Sequence, residues 1–299
     1  MMGHYIALSL LAVLGLGMIF IFYLTVKGRT IERRFVFLYI VFTVSLPLFV
    51  KMKPPIQVSP EVQQVVETIT SLSPGAKVLI SCDFDPPSAP ELQPMLVAFT
   101  KYALKHDLKL IFMGLWPLGP SQANRGLRLA LADTIIAAKN LTYGVDYVNL
   151  GFQSGNEFVI QAMGGSFKSM FPQDDRRIPY DSIPLLNGVV NYRQIDLVMN
   201  FSAGKPGTIE WIQNAVDRYQ VKLSAGNTAV QAPQVYPYLR AGQVRGLMGG
   251  MSGAAEFELA LNEKGKASSF ILSQMFSHLA VMLFVIVGNV AWLMTRKKK

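Results

Sequence analysis

The sequence of 299 residues contains little cysteine and little histidine. Its one cysteine is Cys82, so no disulfide can form within the chain. One cysteine and three histidines cannot supply the nitrogen and sulfur ligands of an ordinary zinc site. The central region has a single histidine, His106, which lies beside Lys105 and Asp107 on a predicted helix. We expect His106 at a solvated helix end, which argues against a Ser-His-Asp triad.

Charge is also scarce, and it is unevenly placed. Charged residues make up 16% of the chain and hydrophobic residues 51%, whereas soluble domains carry about 25% charged residues. Residues 54–269 contain 18 basic and 18 acidic side chains, and the flanks contain 10 basic residues with one acid, Glu32. The net charge of +9 therefore belongs to the flanks. A neutral central region lacks the basic face that nucleic acids require, so no nucleic-acid partner is predicted.

Three hydrophobic segments lie at the two ends of the chain. Residues 5–26 carry no charge and are long enough to cross a bilayer as a helix. They lack a preceding basic stretch and a following cleavage site, so a transmembrane helix is favoured over a signal peptide. The second segment, 35–51, is either a transmembrane helix or a buried or re-entrant one. The third, 270–295, is predicted to be the last transmembrane helix.

Basic residues predict the orientation of these helices. They fill the connection 27–34 and the tail 296–299, as Lys27, Arg29, Arg33, Arg34, Arg296, Lys297, Lys298 and Lys299. Positive residues stay on the cytoplasmic side, so residues 1–4 and the central region are expected outside. This predicts a multi-pass plasma-membrane protein, in a bacterium an inner-membrane protein with a periplasmic domain, and the lipid bilayer is its first partner.

Two polar residues, His278 and Asn289, lie within or near the third hydrophobic segment. Polar side chains at such positions usually face other helices or the membrane interface. No predicted membrane helix contains an acid that could complete a proton relay with His278.

The central region follows a proline-rich linker at 52–60 and is predicted as one extracytoplasmic domain, 61–268. Strands and helices alternate along it, which indicates an α/β fold with a mostly parallel, doubly wound, Rossmann-like sheet. The segment 172–190 breaks the alternation and is expected to be a long crossing loop. The strands are predicted at 77–81, 108–114, 146–151, 195–201, 221–224 and 245–248, and the helices at 61–72, 91–106, 125–141, 158–171, 208–219, 234–241 and 254–262.

In such folds, ligands bind at the carboxyl ends of the strands. The loops expected there are 81–88, 114–121, 151–157, 202–208 and 224–231, all rich in glycine, serine, asparagine or proline. They form a candidate rim for a ligand or metal, with the side chains Asp83, Asp85, Ser154, Asn156, Ser202, Lys205 and Asn227.

Asp83 and Asp85 form a D-x-D sequence directly after the first strand. Two carboxylates at this spacing suit Mg²⁺, which prefers oxygen ligands. The sequence resembles the nucleophile motif of the haloacid-dehalogenase phosphatases, which would imply a metal-dependent phosphatase. The chain departs from that family because the matching serine or threonine, lysine and late acidic pair are missing. The alternative is a turn before Pro86 and Pro87, with no cofactor.

Two further loops have features of anion sites. Residues 202–208 combine backbone amides, a helix start and Lys205, and residues 151–157 form another junction between strand and helix. The spacing in the first is not that of a phosphate-binding loop, and Pro206 removes an amide. Tight turns without a ligand are the alternative for both loops.

Residues 242–250 (G-Q-V-R-G-L-M-G-G) resemble the late segment of membrane-anchored proteases with a crotonase-like fold. The resemblance implies a peptide hydrolase. It covers some 20 residues, and no nucleophilic serine follows the second strand, where the loop reads L-W-P-L-G at 115–119.

These features leave three functional hypotheses. The favoured one is a non-enzymatic component of a membrane complex, whose outer domain binds membrane or periplasmic proteins or further copies of itself. The second is a small-ligand sensor or receptor subunit that uses the loop rim. The third is an extracytoplasmic hydrolase acting on phosphate esters or peptides.

Overall fold

A computed structural model describes residues 2–27, 29, 32–49, 56–263 and 265–296. The chain forms two compact units, which are 1–55 with 268–299, called the helical unit, and 56–267, called the α/β domain. Three of the basic residues used to predict orientation, Lys297, Lys298 and Lys299, lie outside the described residues, as do parts of the predicted linker and of the second hydrophobic segment.

The strands are β1 Lys77–Asp83, β2 Lys109–Gly114, β3 Tyr147–Phe152, β4 Leu197–Ser202, β5 Leu223–Asn227 and β6 Leu247–Gly249. The α-helices are α1 Met2–Val26, α2 Arg33–Phe49, α3 Pro60–Thr70, α4 Ala89–Lys105, α5 Gly119–Leu131, α6 Thr134–Ala137, α7 Glu157–Met163, α8 Phe167–Met170, α9 Thr208–Trp211, α10 Asp217–Tyr219, α11 Ala232–Arg240, α12 Gly250–Ala260 and α13 Ala267–Arg296. A π-helical turn, Ile212–Val216, joins α9 to α10, and 3₁₀ turns lie at Pro86–Ser88, Tyr180–Ser182, Pro184–Leu186 and Tyr192–Gln194.

The six strands form one sheet in the order β3-β2-β1-β4-β5-β6, and every neighbouring pair is parallel. This is the strand order of doubly wound, Rossmann-like domains, in which the chain reverses direction across the sheet between β1 and β4. The predicted α/β class and parallel sheet are therefore confirmed. Within the predicted crossing loop, 172–190, the structure has two 3₁₀ turns, Tyr180–Ser182 and Pro184–Leu186.

Nearly all strand residues are buried, because helices cover both faces of the sheet. On one face α4 packs against α5 and α12, and the Phe99 ring lies between those of Phe201 and Phe257. On the other face α7, α8, α9 and α11 enclose a core centred on Trp211, Phe167 and Ile160. Hydrophobic burial on two faces is the main stabilising contribution to this domain.

Two predicted helices differ most from those in the structure. The helix predicted at 125–141 begins instead at Gly119, because Pro120 suits the first turn of a helix. It ends at Leu131, and Asp133 caps the separate turn α6 by accepting a hydrogen bond from Ile135 N. The helix predicted at 158–171 is two short helices, because the chain leaves the helix at Gly164 and Gly165.

The helical unit consists of α1, α2 and α13. Tyr39 on α2 donates a hydrogen bond to Leu14 O of α1 at 2.7 Å, and its ring meets Phe284 of α13 edge-to-face at 5.3 Å. Of the helices in the described residues, α13 is long and apolar enough over Ala267–Met294 to cross a membrane, and Leu14–Val26 is a shorter apolar stretch. Arg33 and Arg34 form the first turn of α2, and Lys27 follows α1.

Candidate functional site

Three of the predicted rim residues are the last residues of adjacent strands. Asp83 ends β1, Ser202 ends β4 and Asn227 ends β5. The parallel register pairs Asp83 with Ser202 and Ser202 with Asn227, so the structure brings the three together. All three side chains are buried completely, which the sequence did not indicate.

The Asp83 carboxylate is surrounded by hydrogen-bond donors. Its Oδ2 accepts from Ser81 Oγ at 2.7 Å, Asn200 Nδ2 at 2.6 Å and Trp211 Nε1 at 3.3 Å. Its Oδ1 accepts from Leu115 N at 2.8 Å. Burial nevertheless raises the pKa of Asp83 to about 6, because the hydrogen bonds offset only part of the desolvation.

The hydrogen bonds continue away from Asp83 across the sheet. Thr208 Oγ1 donates to Asn200 Oδ1 at 2.7 Å and accepts from Asn227 Nδ2 at 2.8 Å. Asn227 Nδ2 also donates to Gln231 Oε1 at 3.1 Å, and Gln231 Nε2 donates to Gly204 O at 2.9 Å. We call these side chains the switch-point network: Ser81, Asp83, Asn200, Thr208, Asn227 and Gln231.

The network joins β1, β4, β5 and the starts of α9 and α11. A polar group buried without a partner is costly, whereas a network whose members pair with one another fixes their positions. Sequence reasoning missed Ser81, Asn200, Thr208, Trp211 and Gln231 as site residues. The one available signal was Asn200, an amide within an apolar strand, two residues before Ser202 and thus on the same face of β4.

The loops after β2 and β4 pack over the strand ends. Trp116 Nε1 donates to Pro206 O at 2.9 Å, and the peptide bond between Lys205 and Pro206 is cis. A Cβ added at Gly207 would lie 2.0 Å from Ser202 Oγ, so only glycine fits there without a shift. Lys205 itself is exposed and belongs to no bond of the network.

The two carboxylates of the D-x-D sequence have different surroundings. Asp83 is enclosed by the four donors described above, whereas Asp85 is half-buried and precedes the 3₁₀ turn Pro86–Ser88. Ser88 Oγ lies 3.4 Å from Asp85 Oδ1. Within the described residues no cluster of three or more His, Cys, Asp or Glu is arranged to hold a metal ion. Magnesium binding at Asp83 and Asp85 stays a prediction.

The other two predicted rim residues, Ser154 and Asn156, lie in the exposed loop after β3. Asn156 adopts a positive φ of 51° and is followed directly by α7. Large apolar side chains are exposed at the last residue of β3, in the first turn of α7 and in the loops after β2 and β5. We call them the apolar rim residues: Leu118, Phe152, Phe158 and Val230.

A cleft of about 340 Å³ lies beside the end of β3, lined in part by Gln153, Asp175 and Arg177. Asp174 also faces it, but its carboxylate accepts hydrogen bonds from Tyr143 Oη at 2.6 Å and from the backbone nitrogens of Arg176 and Ile178. The cleft is large enough for a small polar molecule.

His106, the one histidine of the α/β domain, is remote from these residues. His106 lies just after α4, at the opposite edge of the sheet, where its ring stacks on Tyr102 at 4.0 Å. Its Nδ1 is 2.8 Å from Tyr102 O. The segment 242–250 forms the turn before β6, β6 itself and the first residue of α12.

Comparisons of this chain with protein-family models, with curated proteins and with solved structures find no match. The site is therefore interpreted from its own geometry.

Proposed function

We propose that this protein is a non-enzymatic component of a membrane complex, whose extracytoplasmic α/β domain binds a partner protein through the apolar rim residues. One observation carries the proposal. At the carboxyl ends of β1, β4 and β5, the polar side chains of the switch-point network are buried and paired with one another, while the apolar rim residues, at the carboxyl ends of β2, β3 and β5, are exposed.

Membrane anchoring is supported by the surface of the helical unit. Large apolar residues on all three helices are more than half exposed, among them Phe20, Phe37 and Val285. Water disfavours such a surface, whereas lipid chains accept it. The basic residues beside α1 and α2 favour an outer N-terminus, a cytoplasmic C-terminus and an outer α/β domain, in a bacterium in the periplasm.

The chemistry of the rim suggests the kind of partner. The central region has equal numbers of acidic and basic residues, so its net charge does not favour a charged partner. Aromatic side chains such as Phe152 and Phe158 contribute strongly to protein interfaces when a partner covers them. We therefore propose a partner protein with an apolar contact surface.

A second function, a small-ligand receptor, is favoured by the cleft beside β3. Gln153, Asp175 and Arg177 give it both acceptors and donors. In that case the ligand would be small and polar, and the apolar rim residues would transmit its binding to a partner.

The test is photo-crosslinking in cells that produce the full chain. A photoreactive amino acid replaces Phe158, which is 64% exposed at the rim, or Ile135, which is 59% exposed at the opposite edge of the sheet. We expect a discrete crosslinked species from position 158 and little from position 135. Mass spectrometry of that species identifies the partner.

A charge at the rim provides the complementary test. Phe158→Asp should reduce co-purification of the crosslinked partner, and Ile135→Asp should leave it unchanged, because only the first places a charge in the interface. Equal crosslinking from both positions, or a gently solubilised particle that contains only this chain, would contradict the proposal. Stabilisation of the domain by a small solute that depends on Arg177 would favour the receptor.

A further inference from the structure

The outer face of α13 carries polar side chains in an otherwise apolar helix. His278 and Asn289 are both exposed on the helical unit. They are separated by about three turns at 3.6 residues per turn, so they share one face. Met282 and Val285 lie between them on that face and are also exposed. We call His278, Met282, Val285 and Asn289 the α13 seam.

The seam faces away from the other helices of the unit. On α13, the contacts with its own unit use Phe284, which meets Tyr39, and Ala280, which is buried. Asn289 Nδ2 donates to Val285 O at 2.7 Å. That bond uses one amide hydrogen, and the side chain still presents an oxygen and a second hydrogen. In hydrocarbon these groups are costly unless another helix supplies a partner.

We propose that two copies of this chain associate through the α13 seam as a parallel pair, with the two Asn289 side chains hydrogen-bonded to each other. The proposal rests on the membrane-spanning part of the proposed function and adds a second contact to the one at the rim. A carboxamide donates and accepts, so it is its own complement.

Membrane insertion restricts how two copies can pair. All copies cross the membrane in the same direction, so paired α13 helices are parallel, and a two-fold axis places each seam residue opposite its own equivalent. The seam spacing of four, three and four residues matches the 3.5-residue repeat of parallel helix pairs.

Cysteine crosslinking of the full chain in its membrane tests this arrangement. The only native cysteine, Cys82, is fully buried and does not compete. Val285→Cys places a thiol on the seam and Ile286→Cys places one beside it, and the native side chains are 58% and 57% exposed. On oxidation we expect several-fold more disulfide-linked dimer from position 285 than from position 286.

The role of Asn289 is tested in the Val285→Cys background. Asn289→Leu should weaken dimerisation about three- to tenfold, the range expected for one hydrogen bond between membrane helices. Val290→Leu, next to the seam, is the matched control and should leave the yield of dimer unchanged. Equal yields from positions 285 and 286, or no effect of Asn289→Leu, would overturn the pairing.

Alkaline extraction of the same membranes separates the two proposals. If the chain stays in the membrane pellet and position 285 shows no preference, the α13 seam proposal fails and the proposed function stands. Release of the chain by alkali overturns both the membrane anchor and the seam. Crosslinking at Phe158 reports separately on the rim.

Discussion

The two units of this chain use the same residue types in opposite ways. In the α/β domain Phe99, Phe167 and Trp211 are fully buried. In the helical unit Phe20 and Phe37 are mostly exposed. Burial alone therefore does not describe a stable arrangement. On the proposed membrane location, lipid rather than water surrounds the exposed apolar side chains of the helical unit.

Polar residues show the reverse contrast. The domain buries a carboxylate, amides and hydroxyls in the switch-point network and pairs them with one another. The helical unit has one acidic residue, Glu32, in its sequence, and its Asn289 lies exposed on α13. Substitutions of the same type, one in each unit, therefore test whether the two units differ in this way.

The largest effect is expected from a phenylalanine truncation. Phe99→Ala in the α/β domain should lower the free energy of unfolding by about 3–5 kcal/mol, because it leaves a cavity between Phe201 and Phe257. Phe37→Ala, at an exposed position of the helical unit, should change it little. Urea unfolding of the detergent-solubilised chain, followed by tryptophan fluorescence, measures both. Similar losses from the two variants would contradict the contrast in burial.

An arginine introduced at an equally exposed isoleucine in each unit tests whether water or lipid surrounds that position. Ile286→Arg, near the middle of α13, should disfavour membrane insertion by about 2.5–3.5 kcal/mol. Ile135→Arg, equally exposed on the α/β domain, should change stability by no more than about 0.5 kcal/mol. The fraction of chain retained in alkali-washed membranes gives the first value and urea unfolding the second. Normal retention of the Ile286→Arg chain would count against a lipid-facing α13.

The buried Asp83 predicts a pH dependence confined to the α/β domain. Its folded pKa of about 6 lies above the ordinary value of 3.8. Between those pH values only the folded state holds the proton, so stability falls as the pH rises and is constant above about pH 6. The total loss is about 3 kcal/mol, from roughly 1.4 kcal/mol per pKa unit.

The control for this prediction is Asp83→Asn, which removes the titrating group. Urea unfolding from pH 4 to 7 should show a slope in the native chain that the variant lacks. Asp133 and Asp146 have lowered pKa values, so their opposite effect lies below this range and is shared by both proteins. If the native chain and Asp83→Asn give parallel pH profiles, Asp83 does not cause a pH dependence in this range.

The smallest effect is expected from removing one hydroxyl in each unit. Tyr192 in the α/β domain and Tyr39 in the helical unit each donate to a backbone carbonyl at 2.7 Å, that of Ile160 and that of Leu14. Tyr192→Phe should cost about 1 kcal/mol. On the proposed membrane location of α2, Tyr39→Phe should cost about 0.6 kcal/mol, because hydrogen bonds between membrane helices contribute less. Thermal unfolding of both variants measures the two losses of stability. A larger loss from Tyr39→Phe than from Tyr192→Phe would contradict the prediction.

Much of the fold was accessible from the sequence because it depends on local patterns. Apolar runs at 77–81 and 195–201 indicated strands, and the helices between them indicated a parallel sheet. Helix limits were less accessible. The start of α5 at Gly119 could not be predicted from local sequence, since Gly-Pro also occurs in loops.

The candidate site was accessible only in part. The sequence placed Asp83, Ser202 and Asn227 at one rim, because parallel strands end at the same edge. It did not show that these side chains are buried or that Asn200 and Trp211 bond to Asp83. Those contacts join residues that are 117 and 128 positions apart.

The alternation of strands and helices, the neutral central region and its apolar, basic flanks could be predicted from the sequence, because composition and periodicity are local properties. The folded chain was needed to show that Asp83 and Asn227 join one buried hydrogen-bond network, that Phe152 and Phe158 are exposed at the carboxyl end of β3, and that Asn289 is exposed on α13. Strand order, register and helix packing set these outcomes, since each depends on where distant parts of the chain meet.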